Sequence, residues 1–125
     1  MAKSIAIVAG SYHKDSVEKM IEKAKAVASD NNIIVEEVNW VPGSMEVPLQ
    51  IKRLFLRESI DGAVVLGIIE NGETKHGLVM GQAVTDSLLN LQLASMKPIG
   101  FGIIAPGAKP EHIEERLLPY AENAV

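Results

Sequence analysis

The sequence predicts an α/β fold: a three-layer sandwich in which helices cover both faces of a four-stranded parallel sheet with strand order 2-1-3-4. Two observations predict it. Short runs rich in Val and Ile alternate with segments of helical periodicity, which is the pattern of successive β-α units. The third run, residues 63–69, is apolar at every position, as in strands that are buried on both faces of a parallel sheet.

The first half of the chain supplies two strands and one helix. Residues 5–9 form the first predicted strand. Residues 15–18 have the spacing of a capping box, so a helix is expected to open there. Asn31 and Asn32 end this helix, and a second strand is expected from Ile33 to about Val38. The face of the helix that we expect to be buried carries Val17, Met20, Ile21, Ala24, Val27 and Ala28.

The rest of the chain continues the alternation. A turn at residues 42–44 leads into a second helix, and the apolar strand at 63–69 follows it. A long apolar helix is expected from about Gly77 to Met96, and a fourth strand at residues 99–104. Pro110 suits the first turn of a last helix, which Pro119 ends. The inner face of the second helix is expected to carry Val47, Ile51, Leu54 and Phe55.

Length and composition limit the function classes. A chain of 125 residues suits one domain, expected to span residues 1–125. The absence of cysteine excludes a disulfide scaffold, a cysteine nucleophile and a thiolate metal site, and fits a reducing compartment. The net charge of −4 is a poor match to nucleic-acid phosphates. No stretch approaches the ~20 apolar residues of a membrane span, and the first apolar run is too short for a signal peptide. We therefore expect a cytoplasmic protein with neither nucleic-acid nor membrane partners.

Ligands of parallel sheets bind beyond the carboxyl ends of the strands, so the loops that follow the strands form the candidate site. The loop at residues 71–76 places Gly72, Thr74 and His76 at the start of a helix, whose first amides favour an anion such as phosphate. An imidazole there can transfer protons near neutral pH. A helix-capping loop with a solvated histidine explains the same residues, and generic physics leaves the two alternatives open.

Other loop residues carry weaker signals. Glu46 falls in the first turn of the second helix, where the helix dipole favours a carboxylate even without an acid-base role. Tyr12 follows the first strand and can stack on a planar heterocycle. Arg116 suits an anion, although a surface salt bridge is the commoner role of a lone arginine. The three histidines lack metal-ligand spacing, so no metal is expected.

Taken together, these loops resemble the 6,7-dimethyl-8-ribityllumazine synthase family. Residues 41–48, Val-Pro-Gly-Ser-Met-Glu-Val-Pro, are similar to the family's V-P-G-[AS]-x-E-[IV]-P segment. Residues 67–76 are similar to its G-x-[VI]-x-x-G-x-T-x-H segment, with identical spacing, and residues 98–102 to its P-[VI]-x-[FL]-G segment. Two long motifs in the right order make this resemblance specific.

The resemblance implies a flavodoxin-like fold and a condensation that needs no cofactor. The substrates would be 5-amino-6-(D-ribitylamino)uracil and 3,4-dihydroxy-2-butanone 4-phosphate, and the products the lumazine, phosphate and water, in the penultimate step to riboflavin. The family assembles as homo-oligomers built from pentamers, with sites shared between subunits. Its motifs assign proton transfer to His76 and phosphate binding to Gly72, Glu73, Thr74 and Arg116. They assign contact with the ribitylaminouracil to Tyr12, Ser44, Met45, Glu46, Ile69, Glu70 and, from a neighbouring subunit, Phe101.

The sequence also departs from the family. Ser11 and His13 replace an arginine and an asparagine, Glu70 replaces an apolar residue, and the C-terminal end is short relative to the family. These departures leave open a non-catalytic relative that acts as a self-assembling shell subunit or a flavin- or lumazine-binding module. An archaeal-type riboflavin synthase is disfavoured because that reaction needs no phosphate loop. A flavodoxin-like nucleotide or signalling module is disfavoured because the first loop lacks a phosphate-cradling Gly/Ser/Thr run.

Overall fold

The computed structural model describes residues 3–11, 13–68 and 76–104 of the chain. Its described strands all run parallel, and they are hydrogen-bonded in the order β2-β1-β3-β4. The predicted fold class and strand order are confirmed, whereas the last predicted helix, between Pro110 and Pro119, lies outside the described residues. The elements are β1 (Lys3–Gly10), α1 (Lys14–Asp30), β2 (Ile33–Val41), α2 (Val47–Phe55), β3 (Gly62–Ile68), α3 (His76–Ser95) and β4 (Ile99–Ile104).

Two apolar cores lie on opposite faces of the sheet. Ile7 and Leu66 pack against Met20 of α1 on one face. Val8 and Val65 point to the other face, where α2 and α3 cover them. Neighbouring residues of a strand point to opposite faces, so β3 is buried at all seven positions, as predicted. Each large apolar side chain that is fully buried contributes about 1.5–3 kcal/mol.

The two ends of α1 are fixed differently from one another. The helix begins at Lys14, and its N-cap residue, His13, makes no side-chain capping hydrogen bond. The predicted capping box is therefore wrong: Asp15 lies inside the first turn, where the helix dipole favours its carboxylate. The C-terminal end is as predicted, since Asn31 Nδ2 donates to Val27 O at 2.8 Å and Asn32 takes a φ of 58° that asparagine tolerates.

Strand β2 is longer than predicted, because pairing with β1 continues as far as Gly10 and Val41. Its register shifts by one residue: Ile5 pairs with Val35, but the next residue of β1 pairs with Glu37. Such a bulge reverses the face to which every later side chain points. Local alternation in the sequence could not predict this change.

Lys97 joins the start of β4 to the end of α2. Its Nζ donates to Phe55 O and to Arg57 O, both at 3.0 Å, and lies 5.5 Å from the centre of the Phe55 ring. A cation is favoured at a helix C-terminus because the last carbonyls lack partners within the helix. The contact holds the α2–β3 and α3–β4 connections together at the amino edge of the sheet, away from the candidate site.

We predict that Gly62→Ala lowers the free energy of unfolding by about 1–3 kcal/mol, the usual cost of overpacking. A Cβ at Gly62 would lie 2.9 Å from Pro98 O, a backbone atom that accepts a hydrogen bond from Ala63 N. Gly10→Ala is the matched control, because a Cβ there has no atom of the described residues within 4 Å apart from its chain neighbours. Urea unfolding of both variants measures the difference, and an equal loss in the two would contradict the packing argument.

Candidate functional site

The parallel register brings the carboxyl ends of the strands to one edge of the sheet. Gly10 at the end of β1 pairs with Val41 at the end of β2, and Ile68 of β3 pairs with Ile104 of β4. The loops that sequence analysis selected therefore leave the sheet on the same side. A hydrogen bond from Ser11 N to Val41 O, at 2.8 Å, ties the first of these loops to the second.

The turn between β2 and α2 brings three predicted site residues together. Residues Ser44–Glu46 form one 3-10 turn that leads directly into α2, and Glu46 N donates to Gly43 O at 3.2 Å. The Met45 side chain is 57% exposed. An exposed thioether of this size beside a polar turn can lie against an apolar or aromatic ligand surface.

The Glu46 carboxylate is exposed and makes no side-chain capping hydrogen bond to α2. Glu46 is the N-cap residue of α2, and its carboxylate favours the helix through the dipole rather than through a capping hydrogen bond. A Cβ on Gly43 would lie 3.3 Å from Glu46 Oε2, so a glycine at this position leaves room for the carboxylate. The carboxylate can accept hydrogen bonds from a ligand bound at the strand ends.

His76 is the first residue of α3, so its backbone lies at the positive end of a 20-residue helix dipole. That position suits a group that acts beside a bound anion. Several predicted site residues lie outside the described residues, and nothing in the structure tests them: Tyr12, Ile69, Glu70, Gly72, Glu73, Thr74 and Arg116.

Phe101 lies on β4, the edge strand opposite β2. Midway along β4, it pairs with Val65 of β3 and packs against the core beneath α2 and α3. Strand β4 is separated from β2 by three strand spacings, about 14 Å. Phe101 and the turn with Met45 and Glu46 thus belong to strands at opposite edges of the sheet.

Sequence analysis missed one contact at this edge. Lys14 Nζ, at the start of α1, lies 5.3 Å from the centre of the Trp40 ring, near the end of β2. Trp40 is 37% exposed. The contact depends on the bulge in β2, and the residue types alone carry no signal for it.

A polar network runs along β2 below the site. Arg57 donates to both carboxylate oxygens of Glu37, Asn39 donates to Glu37 Oε1 at 3.0 Å, and Gln50 donates to Asn39 at 3.2 Å. The hydrogen bonds from Arg57, and after them the one from Asn39, hold the pKa of Glu37 below its usual value. Because Glu37 lies mid-strand, we assign this network to structure rather than to catalysis.

Residues 3–11, 13–68 and 76–104 were searched for metal sites and for membrane-spanning helices. No group of three or more His, Asp or Glu side chains in these ranges could hold a metal ion. No helix within them is long and apolar enough to cross a membrane.

Comparison with known proteins identifies the family. The profile of the 6,7-dimethyl-8-ribityllumazine synthase family matches residues 2–124. The chain belongs to this family. Relatives named 6,7-dimethyl-8-ribityllumazine synthase include that of Metallosphaera sedula, which is 38% identical over 97% of this chain and 80% of the relative. Those of Saccharolobus solfataricus and Staphylothermus marinus are 36% and 35% identical, over 97% of this chain and 79% and 81% of the relatives.

Membership of the 6,7-dimethyl-8-ribityllumazine synthase family confirms the resemblance drawn from the loop motifs. It also confirms the predicted enzyme of riboflavin biosynthesis. The family match covers all four strands and every motif residue, so the loops at the carboxyl edge are the place to seek the site.

We predict that Arg57→Gln lowers stability near pH 7 and that this difference shrinks as the pH falls. The pKa of Glu37 is depressed in the folded state by Arg57, so the pair stabilises the fold above the unfolded pKa, about 4.3. That contribution is lost as the pH falls through the lower, folded pKa.

Urea midpoints measured from pH 7 down toward pH 3 test this dependence. Arg53→Gln, an exposed arginine on α2, is the matched control. A loss of stability in Arg57→Gln that stays constant with pH would refute the ion-pair explanation.

Proposed function

We propose that this chain condenses 5-amino-6-(D-ribitylamino)uracil with 3,4-dihydroxy-2-butanone 4-phosphate to give 6,7-dimethyl-8-ribityllumazine, phosphate and water. The observation that carries the proposal is the family match over residues 2–124. It is supported by the fold, because β2 and β3, which lead into the two long motifs, end at the same edge of the sheet. Both substrates are small molecules, and the reaction is the penultimate step of riboflavin biosynthesis.

The reaction requires the protein to orient the two substrates, to bind the phosphate anion and to carry protons. The amine of the uracil attacks the ketone of the sugar phosphate and water is lost to give an imine. Phosphate is then eliminated, and the ribitylamino nitrogen closes the ring on the remaining carbonyl with loss of a second water. Since the substrate carries its own nucleophile, the chain needs no serine or cysteine nucleophile. Holding two reactants in a reactive geometry can lower a barrier by about 7–11 kcal/mol in favourable cases. A proton carrier and an anion site supply the rest.

His76 is the proposed proton carrier, and the loop before it is the proposed phosphate site. The start of α3 supports both roles, because its partial positive charge favours a phosphate next to residue 76. Within this proposal the phosphate contacts come from Gly72, Glu73, Thr74 and Arg116.

The ribitylaminouracil is proposed to bind across the β1–α1 and β2–α2 loops. The exposed turn that carries Met45 and Glu46 supports this placement, since it offers an apolar contact and a hydrogen-bond acceptor side by side. Ser44 belongs to the same turn. Tyr12, Ile69 and Glu70 complete the proposed contacts of the chain's own site.

We propose a homo-oligomer built from pentamers, with Phe101 reaching the site of a neighbouring subunit. The placement of Phe101 on one edge strand, β4, and of Met45 after the other edge strand, β2, supports a shared site. Large apolar side chains at helical spacing on the outer surface of α3 supply apolar area for such an interface. Among the α3 side chains that the structure describes, these are Val79, Leu89 and Leu93.

The chain is proposed to act as one domain over residues 1–125 and in the cytoplasm. The family match from residue 2 to residue 124 supports the single domain. The cysteine-free composition fits the reducing cytoplasm.

We predict that His76→Ala slows lumazine formation about 100-fold, within the usual contribution of general acid-base catalysis, without abolishing it. The residual rate reflects orientation, which the substitution leaves in place. Lumazine absorbance, followed with both substrates against a reaction without protein, measures the rate. Lys25→Met, an exposed substitution on α1, is the control and should match the wild type. An unchanged rate in His76→Ala would remove the proposed role of His76.

We predict that Arg116→Ala raises KM for the phosphate substrate roughly tenfold or more, as expected for losing a hydrogen bond to a charged group. KM for the ribitylaminouracil should change little. Steady-state rates with each substrate varied in turn distinguish the two constants. A wild-type protein that is folded and assembled but no faster than the reaction without protein would overturn the proposed function itself, and would favour the shell-subunit or carrier alternative.

A further inference from the structure

Trp40 and Lys14 connect the two described loops at the carboxyl edge of the sheet. Trp40 is the chain's single tryptophan, one residue before the end of β2. Lys14 is the first residue of α1, and its Nζ lies 5.3 Å from the centre of the indole ring. A cation at this distance over an indole face is attracted by the electron density of the ring.

The bulge in β2 is what makes this contact possible. After the register shift Trp40 pairs with Ala9, whose side chain is part of the core beneath α1. If the register of Ile5 with Val35 continued without the shift, Trp40 would pair with Gly10 and point to the opposite face, toward α2. Bulges of this kind commonly redirect a side chain next to a functional site.

A second contact acts on the neighbouring residue. Val41 O accepts the hydrogen bond from Ser11 N at 2.8 Å. The last two residues of β2 therefore hold the β1–α1 loop at both of its described ends, at Ser11 and at Lys14. The turn with Met45 and Glu46 begins immediately after them.

We propose that Trp40 is a positioning residue for binding of the ribitylaminouracil. Through Lys14 it holds the β1–α1 loop at a fixed distance from the turn that carries Met45 and Glu46, so that both loops are in place before the ligand arrives. Pre-arranged loops lower the ordering cost of binding. The inference rests on the proposed function, because it assigns a role within that site.

The kinetic test uses Lys14→Met and Trp40→Leu. Each should raise KM for the ribitylaminouracil about two- to fivefold, the change expected for an exposed cation–π contact, and leave KM for the phosphate substrate unchanged. The double variant should be no worse than the worse single variant, because both remove one contact. Lys14→Arg should restore wild-type values, and Lys25→Met on the same helix is the control for loss of a lysine charge.

Fluorescence reports the contact without turnover, since Trp40 is the sole tryptophan. Quenching by acrylamide should increase in Lys14→Met but not in Lys14→Arg or Lys25→Met. Unchanged quenching in Lys14→Met, or equal changes in the KM of both substrates, would overturn the inference. If the wild type forms lumazine and the variants match it, the inference alone fails. If the wild type forms none, the proposed function fails, and the positioning role falls with it.

Discussion

The parallel pairing of β1 with both of its neighbours is the constraint on which the rest of the structure depends. Because β2 and β3 must run in the direction of β1, every connection has to cross a face of the sheet and return, and helices make those crossings. Each strand then ends at the same edge. The core and the site separate for this reason: apolar residues fill the strands, while the loops after the strands remain available for polar and aromatic groups that bind ligands.

The chemistry proposed for this edge fits what loops can provide. The condensation uses a nucleophile that belongs to the substrate, so the protein contributes orientation, an anion site and a proton carrier rather than a reactive side chain of its own. In the proposed site, the β2–α2 turn offers Met45 and Glu46 to one substrate, and the start of α3 offers its dipole and His76 to the phosphate. Held by the Lys14–Trp40 contact, the first loop completes the arrangement.

Much of the fold followed from local pattern, and the failures share a physical cause. The all-apolar run before residue 70 identified β3 because burial on both faces leaves no polar position. The asparagines after α1 ended it as predicted, because asparagine tolerates the φ of 58° found at Asn32. The capping box failed since spacing alone does not decide which residue begins a helix.

The bulge in β2 could not be predicted, because register is set by pairing with β1. The contact between Trp40 and Lys14 depends on that register, so it too was beyond the sequence. Of the proposed site, the sequence motif already joins Ser44, Met45 and Glu46, which form one turn after β2, whereas no local rule could place Phe101 on the opposite edge strand.

The most direct test of a strand-end site shared between subunits is complementation between two slow variants. His76→Ala and Phe101→Ala are purified, shown by circular dichroism to be folded, and assembled together from dissociated subunits. Under a shared site, roughly a quarter of the sites in an equal random mixture combine an intact His76 with an intact Phe101. Lumazine formation should then rise well above the summed rates of the two variants assembled separately. A mixture that shows only that sum, from a wild type that is active, would contradict a site built by two copies of the chain.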